Sequence, residues 1–309
     1  MVAERAGLNA IAPAEVMREI AEAIPADCRE SVIVVGSLAV GYHYLSGKRS
    51  MLVRTKDADC MLSPHLTAVE EGRSILERLL EAGWVPRETP GFECPGTEET
   101  PIESLPAVRL WPPDGRTWFL ELLSAPDASQ GSGRVRRRVA TRHGHFCVSS
   151  YRYLLLTEYE PIATELGVKV ARPEMMALAN LLAHPSIGPE IMLSSFDGLP
   201  DIKRSNKDLG RVVAIARLAT AEDEDALLAW PSLWTNALQA CFPSEWRGLA
   251  HAIGSGIREL LESRNDLEQA LLTCTRGLLA SAPPTLEGFR VTCERLLSDA
   301  VEPLERVAK

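Results

Sequence analysis

Asp57 and Asp59 stand two apart in VRTKDADCML (53–62), a stretch whose charged and apolar residues interleave at a period near two. That alternation predicts a strand, and residues i and i+2 of a strand share a face, so the two carboxylates lie side by side, about 6–7 Å apart along the chain. Like charges at that spacing repel unless a cation stands between them. Carboxylate oxygens suit Mg²⁺, which takes one or two carboxylates and fills its shell with water and substrate phosphates. Upstream, the β-branched run SVIVV (31–35) meets Gly36-Ser37 before LAVGYHYL, a pattern of strand, tight turn and helix. Glycine lets the backbone approach a ligand, serine adds a hydroxyl, and the free N–H groups of the following helix receive a phosphate. Together these residues would hold a metal-bound nucleotide at both ends.

Glu121 is a third candidate. It is the lone acid in the apolar run TWFLELL (117–123), where an unpaired carboxylate costs several kcal/mol of desolvation, on the order of the penalty for burying any unpaired charge. Either it joins Asp57 and Asp59 around a metal, or it is salt-bridged to an arginine such as Arg109 across a hairpin. The tract Arg134-Val-Arg136-Arg137-Arg138, with Arg142, His143 and His145 nearby, is the one concentrated basic patch. It reads either as a phosphate- or RNA-contacting surface or as a charged loop after the flexible Gly131-Ser132-Gly133. His143 and His145 have no third ligand in sight for a metal.

Several elements must position these groups. Val16, Met17, Ile20 and Ile24 predict a first helix over 14–24, and Ile75, Leu76, Leu79 and Leu80 predict another over 67–82 that stops at Gly83. AVRLW (107–111) and TWFLELL flank Pro-Pro-Asp-Gly-Arg, a hairpin turn, and HFCVS (145–149) returns to the sheet. Beyond about residue 150 strand signals fade. Pro173 opens a helix, Ser205-Asn-Lys-Asp208 opens another with Asp208 as a capping-box acid, and 244–264 carries one apolar stripe. The tryptophans at 230, 234 and 246 and the pair Met175-Met176 read as core.

The chain has 309 residues, 46% hydrophobic and 24% charged, which excludes disordered and fibrous classes and suggests two domains. No run reaches the roughly 20 apolar residues of a membrane span, and no signal-peptide pattern opens the chain, so a cytoplasmic protein with no membrane partner is expected. Seven scattered cysteines without a CxxC suit reduced, packed thiols. The net charge of −9 argues against a globally basic nucleic-acid surface.

Taken in order, Gly36-Ser37 after a strand, Thr55-Lys-Asp57-Ala-Asp59 and the later acid Glu121 resemble the signature of the DNA polymerase β-like nucleotidyltransferase superfamily. Arg204-Ser-Asn-Lys207-Asp208-Leu209 and Pro173-Glu174-Met-Met-Ala-Leu are similar to the helix starts of its AbiEii/MenT group. Two positions depart from that group: Asn180 replaces a lysine, and Arg211-Val212 stand where a further aspartate is usual. The resemblance implies an α+β (α/β) fold, with a mixed-sheet nucleotidyltransferase domain (1–160) flanked by helices and an all-helical C-terminal domain (161–309). It further implies transfer of a nucleotidyl group from an NTP to an acceptor, RNA such as tRNA, a protein or a small molecule, with release of pyrophosphate. Asp57, Asp59 and Glu121 would be catalytic and bind up to two Mg²⁺, with Gly36, Ser37, Thr55, Lys207 and Asp208 at the nucleotide. Arg136, Arg137 and Arg138 would contact the acceptor, and a cognate antitoxin would be a partner. Two alternatives are a catalytically silent member that binds a nucleotide or a partner, and an aminoglycoside-type nucleotidyltransferase.

Overall fold

The computed structural model describes residues 9–47, 52–127, 129–131, 133–187 and 202–309. Strand β1 (Asn9–Ile11) leads to helix α1 (Pro13–Ala23), strand β2 (Val32–Val35), helix α2 (Gly36–Leu45), strands β3 (Val53–Thr55) and β4 (Asp57–Leu62), and helix α3 (Ala68–Glu81). Strands β5 (Val85–Pro86), β6 (Arg109–Trp111), β7 (Phe119–Ser124), β8 (Val135–Thr141), β9 (Gly144–Ser150), β10 (Ile162–Ala163) and β11 (Lys169–Val170) follow. The rest is helical: α4 (Pro173–Ile187), α5 (Arg204–Glu222), α6 (Ala226–Cys241), α7 (Trp246–Ala252), α8 (Ser255–Glu262), α9 (Arg264–Thr275), α10 (Leu286–Arg295) and, after a π-helical stretch, α11 (Glu302–Val307).

The main sheet is mixed, in the order β10-β11-β2-β4-β7-β6-β5. Strand β4 runs antiparallel to β2 and parallel to β7, and β6 is antiparallel to β7. The β8–β9 hairpin continues the β6 edge of β7 from Leu123, which pairs with Ser149. Strands β2 and β7 are buried at every position, as central strands covered on both faces must be.

The alternation within β4 decides what each face of the sheet carries. Ala58, Cys60 and Leu62 point one way, and α3 packs there closely enough that a Cβ on Gly72 would sit 3.0 Å from Leu62 Cδ1. Asp57, Asp59 and Met61 point the other way, where Met61 Sδ meets the Thr157 hydroxyl and α5 brings up its charges. One hydrophobic cluster runs from Ile11 through the sheet and the helices to Ala308. The two halves of the chain therefore share a core.

Helices α1 and α3 and the β6–β7 hairpin lie where periodicity and turn chemistry predict them, and Gly83 ends α3 at φ +85. Other elements differ. VRTKDADCML is two strands rather than one: the chain bends at Lys56, β3 leaves to pair with β1 in a separate two-stranded sheet, and only β4 stays in the main sheet. The basic tract forms strand β8, not a loop. Strands β10 and β11 lie past residue 160 yet belong to the sheet through the parallel pairing of β11 with β2, so the helical part begins at Pro173. The apolar stripe of 244–264 is split into α7 and α8 around Ile253-Gly254. Trp230, Trp234, Met175 and Met176 are buried as expected, Trp246 is only half-buried against the core, and all seven cysteines are free. Among the described residues, no helix is long and apolar enough to cross a membrane.

Candidate functional site

The site is assembled by strand register. Val35, the last residue of β2, pairs with Asp59 of β4; Asp59 pairs with Glu121 of β7; and Glu121 pairs with Arg109 of β6. Directly paired residues share a sheet face, so Asp59, Glu121 and Arg109 form one row, with Asp57 two residues along β4 on the same side.

The turn after β2 is fitted to this row. Gly36 has φ +75, a left-handed conformation that L side chains rarely adopt, and a Cβ there would lie 2.8 Å from Oδ2 of Asp59. Backbone and carboxylate thus approach as closely as a missing side chain allows. Helix α2 begins at this glycine, so its N-terminal N–H groups and the half-buried Ser37 open next to Asp59.

Electrostatics separate the two aspartates, both only partly exposed. Burial would raise the Asp57 carboxyl, but Lys207, a hydrogen bond from the Thr55 hydroxyl (2.8 Å to Oδ1) and Arg211 outweigh it, and Asp57 falls below the usual carboxylate range. Burial pushes Asp59 well above that range, and the adjacent charges of Asp57 and Glu121 push it further, against the weaker pull of Arg211 and Lys207. Asp59 thus sits where negative charge is in excess, which a cation would relieve.

Glu121 is 7% exposed and bound at both carboxylate oxygens by Arg109, Nε to Oε2 at 2.8 Å and Nη2 to Oε1 at 3.0 Å. Of the two readings open for this lone acid in an apolar strand, the arginine pair is the one formed. Among the described residues, no group of three or more His, Cys, Asp or Glu side chains is arranged to hold a metal ion. Asp57 and Asp59 are the carboxylates of this row outside the arginine pair; their oxygens are the donor type that suits Mg²⁺, and the Gly36 turn lies beside Asp59.

Helix α5 supplies the opposite charge. Lys207 and Arg211, four apart and so on one helical face, both act on Asp57 and Asp59. Among the described residues neither side chain has a hydrogen-bond or ion-pair partner. In the sequence alone, the four-residue spacing of Lys207 and Arg211 reads as a solvated helix face; the structure turns that face toward the two aspartates. Asp208 lies one position round the helix and acts on the buried His184 instead. Lys203, not Ser205, caps α5, without a side-chain bond, so Asp208 closes no capping box. Thr55 is buried and its hydroxyl is engaged with Asp57. Asn180 bonds back to the Met176 carbonyl of its own helix.

The basic tract lies on β8, across β9 from β7, and two of its side chains are used internally. Arg136 donates to the carbonyls of Glu103 and Leu105, and Arg138 to those of Thr97 and Thr100, with a further contact to His145. These two side chains therefore fasten the 97–105 loop to β8 and are not free for an acceptor. Arg137 points to the opposite face, half-buried, with Nε buried and without a hydrogen bond. No protein-family model, no characterised protein and no solved structure gives a significant match to this chain.

Proposed function

We propose that the protein is a Mg²⁺-dependent nucleotidyltransferase resembling the DNA polymerase β-like superfamily, which moves a nucleotidyl group from an NTP to an acceptor and releases pyrophosphate. The observation that carries this reading is the convergence of the Gly36 turn on the Asp57–Asp59 pair across the β2–β4 register. The motif order, the acid on the neighbouring parallel strand and the cations of α5 support it.

In this reading Asp57 and Asp59 hold Mg²⁺, which when bound neutralises phosphate charge. Asp57, kept ionised by Lys207 and Thr55, is the permanently charged ligand. Asp59, whose carboxyl is held raised by burial and by the charges of Asp57 and Glu121, would complete the pair of oxygen ligands. The N-terminus of α2, with Ser37, receives the outer phosphates, and Gly36 leaves room for them. Lys207 and Arg211 close over the triphosphate from α5 and balance the charge that builds on the departing pyrophosphate. The acceptor oxygen forms its bond to the α-phosphorus as the bond to pyrophosphate breaks, and a hydroxyl acceptor loses its proton to solvent water.

One observation favours a second reading. The bidentate Arg109–Glu121 pair withdraws an acid that the superfamily resemblance makes catalytic, as a silent nucleotide-binding member would. Transfer of label from α-phosphate-labelled NTPs to RNA, protein and small-molecule acceptors, in wild type and in Asp57→Asn plus Asp59→Asn, separates the two. Mg²⁺-dependent label transfer lost in the variant supports the enzyme. Nucleotide binding without transfer to any acceptor supports the silent member.

A further inference from the structure

We propose that Arg109 is a positioning residue that holds Glu121 out of the metal site, so that the site takes one divalent cation, through Asp57 and Asp59, and not two. This inference rests on the nucleotidyltransferase reading and sharpens it.

Three observations carry it. Arg109 and Glu121 are direct register partners, so their pairing is fixed by the β6–β7 ladder and needs no unusual side-chain reach. The guanidinium engages both carboxylate oxygens, at 2.8 and 3.0 Å, in the fork geometry that only arginine offers. The Glu121 side chain is 9% exposed and that of Arg109 28%, so water cannot readily replace either partner. A cation drawing Glu121 toward Asp59 would have to strand a mostly buried guanidinium, a costly exchange. Arg109 also acts on Asp59 itself. It thus places a fixed positive charge on the same row, where a second cation would otherwise be recruited. Although Asp57, Asp59 and Glu121 share one face, no group of three or more such side chains among the described residues is arranged to hold a metal ion.

The probe is Mn²⁺, counted on the full chain by the loss of the free-ion paramagnetic resonance signal, with a stoichiometric non-hydrolysable NTP analogue present. Wild type is expected to bind one Mn²⁺ per chain. Arg109→Met frees Glu121 and is expected to bind two, and Arg109→Met combined with Glu121→Leu is expected to return to one. A purely structural role for Arg109 would change thermal stability without changing the count. Two ions on wild type, or one ion on a folded Arg109→Met variant, overturns the proposal. If Arg109→Met does not fold, the wild-type count decides alone, one ion upholding the proposal and two overturning it. No bound Mn²⁺ at all removes the metal-dependent reading itself, an outcome distinct from two ions, which leaves that reading intact.

Discussion

A Cβ at Gly36 would fall 2.8 Å from Oδ2 of Asp59, and the Gly36 backbone sits at φ +75. Close approach and left-handed backbone coincide at one residue, so Gly36→Ala meets two penalties together. We expect it to destabilise the fold by about 1–3 kcal/mol, the range for a non-glycine residue held in a left-handed conformation. Urea denaturation reads the stability and Mn²⁺ titration the accompanying loss of affinity. An unchanged midpoint together with unchanged affinity would contradict the fitted turn.

Asp59 and Asp57 predict opposite pH dependences. A carboxyl whose folded value is raised keeps its proton longer when folded than when unfolded, so it lowers stability as pH climbs from the ordinary carboxylate range through the raised value. In chelator, Asp59→Asn should therefore melt above wild type at neutral pH, with the gain vanishing as the solution is acidified below the ordinary range. Asp57 is lowered, so its contribution is present above the ordinary range and is lost as pH falls through its depressed value. Asp57→Asn should melt below wild type at neutral pH. Melting curves at several pH values check both signs.

Lys207 and Arg211 reach the aspartates from α5. Replacing either with methionine removes one charge-assisted phosphate contact, on the order of 1.5–3 kcal/mol, or roughly ten- to a hundredfold in affinity for an NTP analogue. Calorimetric titration measures it, and equal affinity in both variants would place the triphosphate elsewhere.

Arg136 and Arg138 fasten the 97–105 loop to β8 through main-chain carbonyls. Arg136→Gln and Arg138→Gln should raise amide hydrogen exchange in 97–105 and leave the KM for acceptor unchanged. A raised acceptor KM with exchange unaltered would restore the tract to a binding role.

Local signals were legible where chemistry and geometry are local. Gly36-Ser37 after four β-branched or aliphatic residues marked the β2–α2 turn, and Asp57-Ala-Asp59 marked a shared strand face. Which oxygens Glu121 meets was not legible, because an acid in an apolar strand is equally satisfied by a metal or an arginine. Only the register Arg109↔Glu121 decides between them. The Lys56 bend that parts Thr55 from Asp57 comes from the pairing of β3 with β1, a contact far apart in sequence. Strands β10 and β11 are two residues each, too short for any periodicity to announce them. The basic tract reads either as a phosphate- or RNA-contacting surface or as a charged loop, yet Arg136 and Arg138 find carbonyls of a segment more than thirty residues upstream, which composition cannot reveal.

In the proposed reaction Asp57 and Asp59 seat the nucleotide through a divalent cation. Equilibrium binding of a labelled NTP to the full chain, in Mg²⁺ and in chelator, with wild type beside Asp57→Asn plus Asp59→Asn, tests this directly. Wild type is expected to bind in Mg²⁺, with binding abolished by chelator and lacking in the double variant. Binding that persists equally in chelator and in the variant, or no NTP binding by wild type under any condition, would contradict this seating.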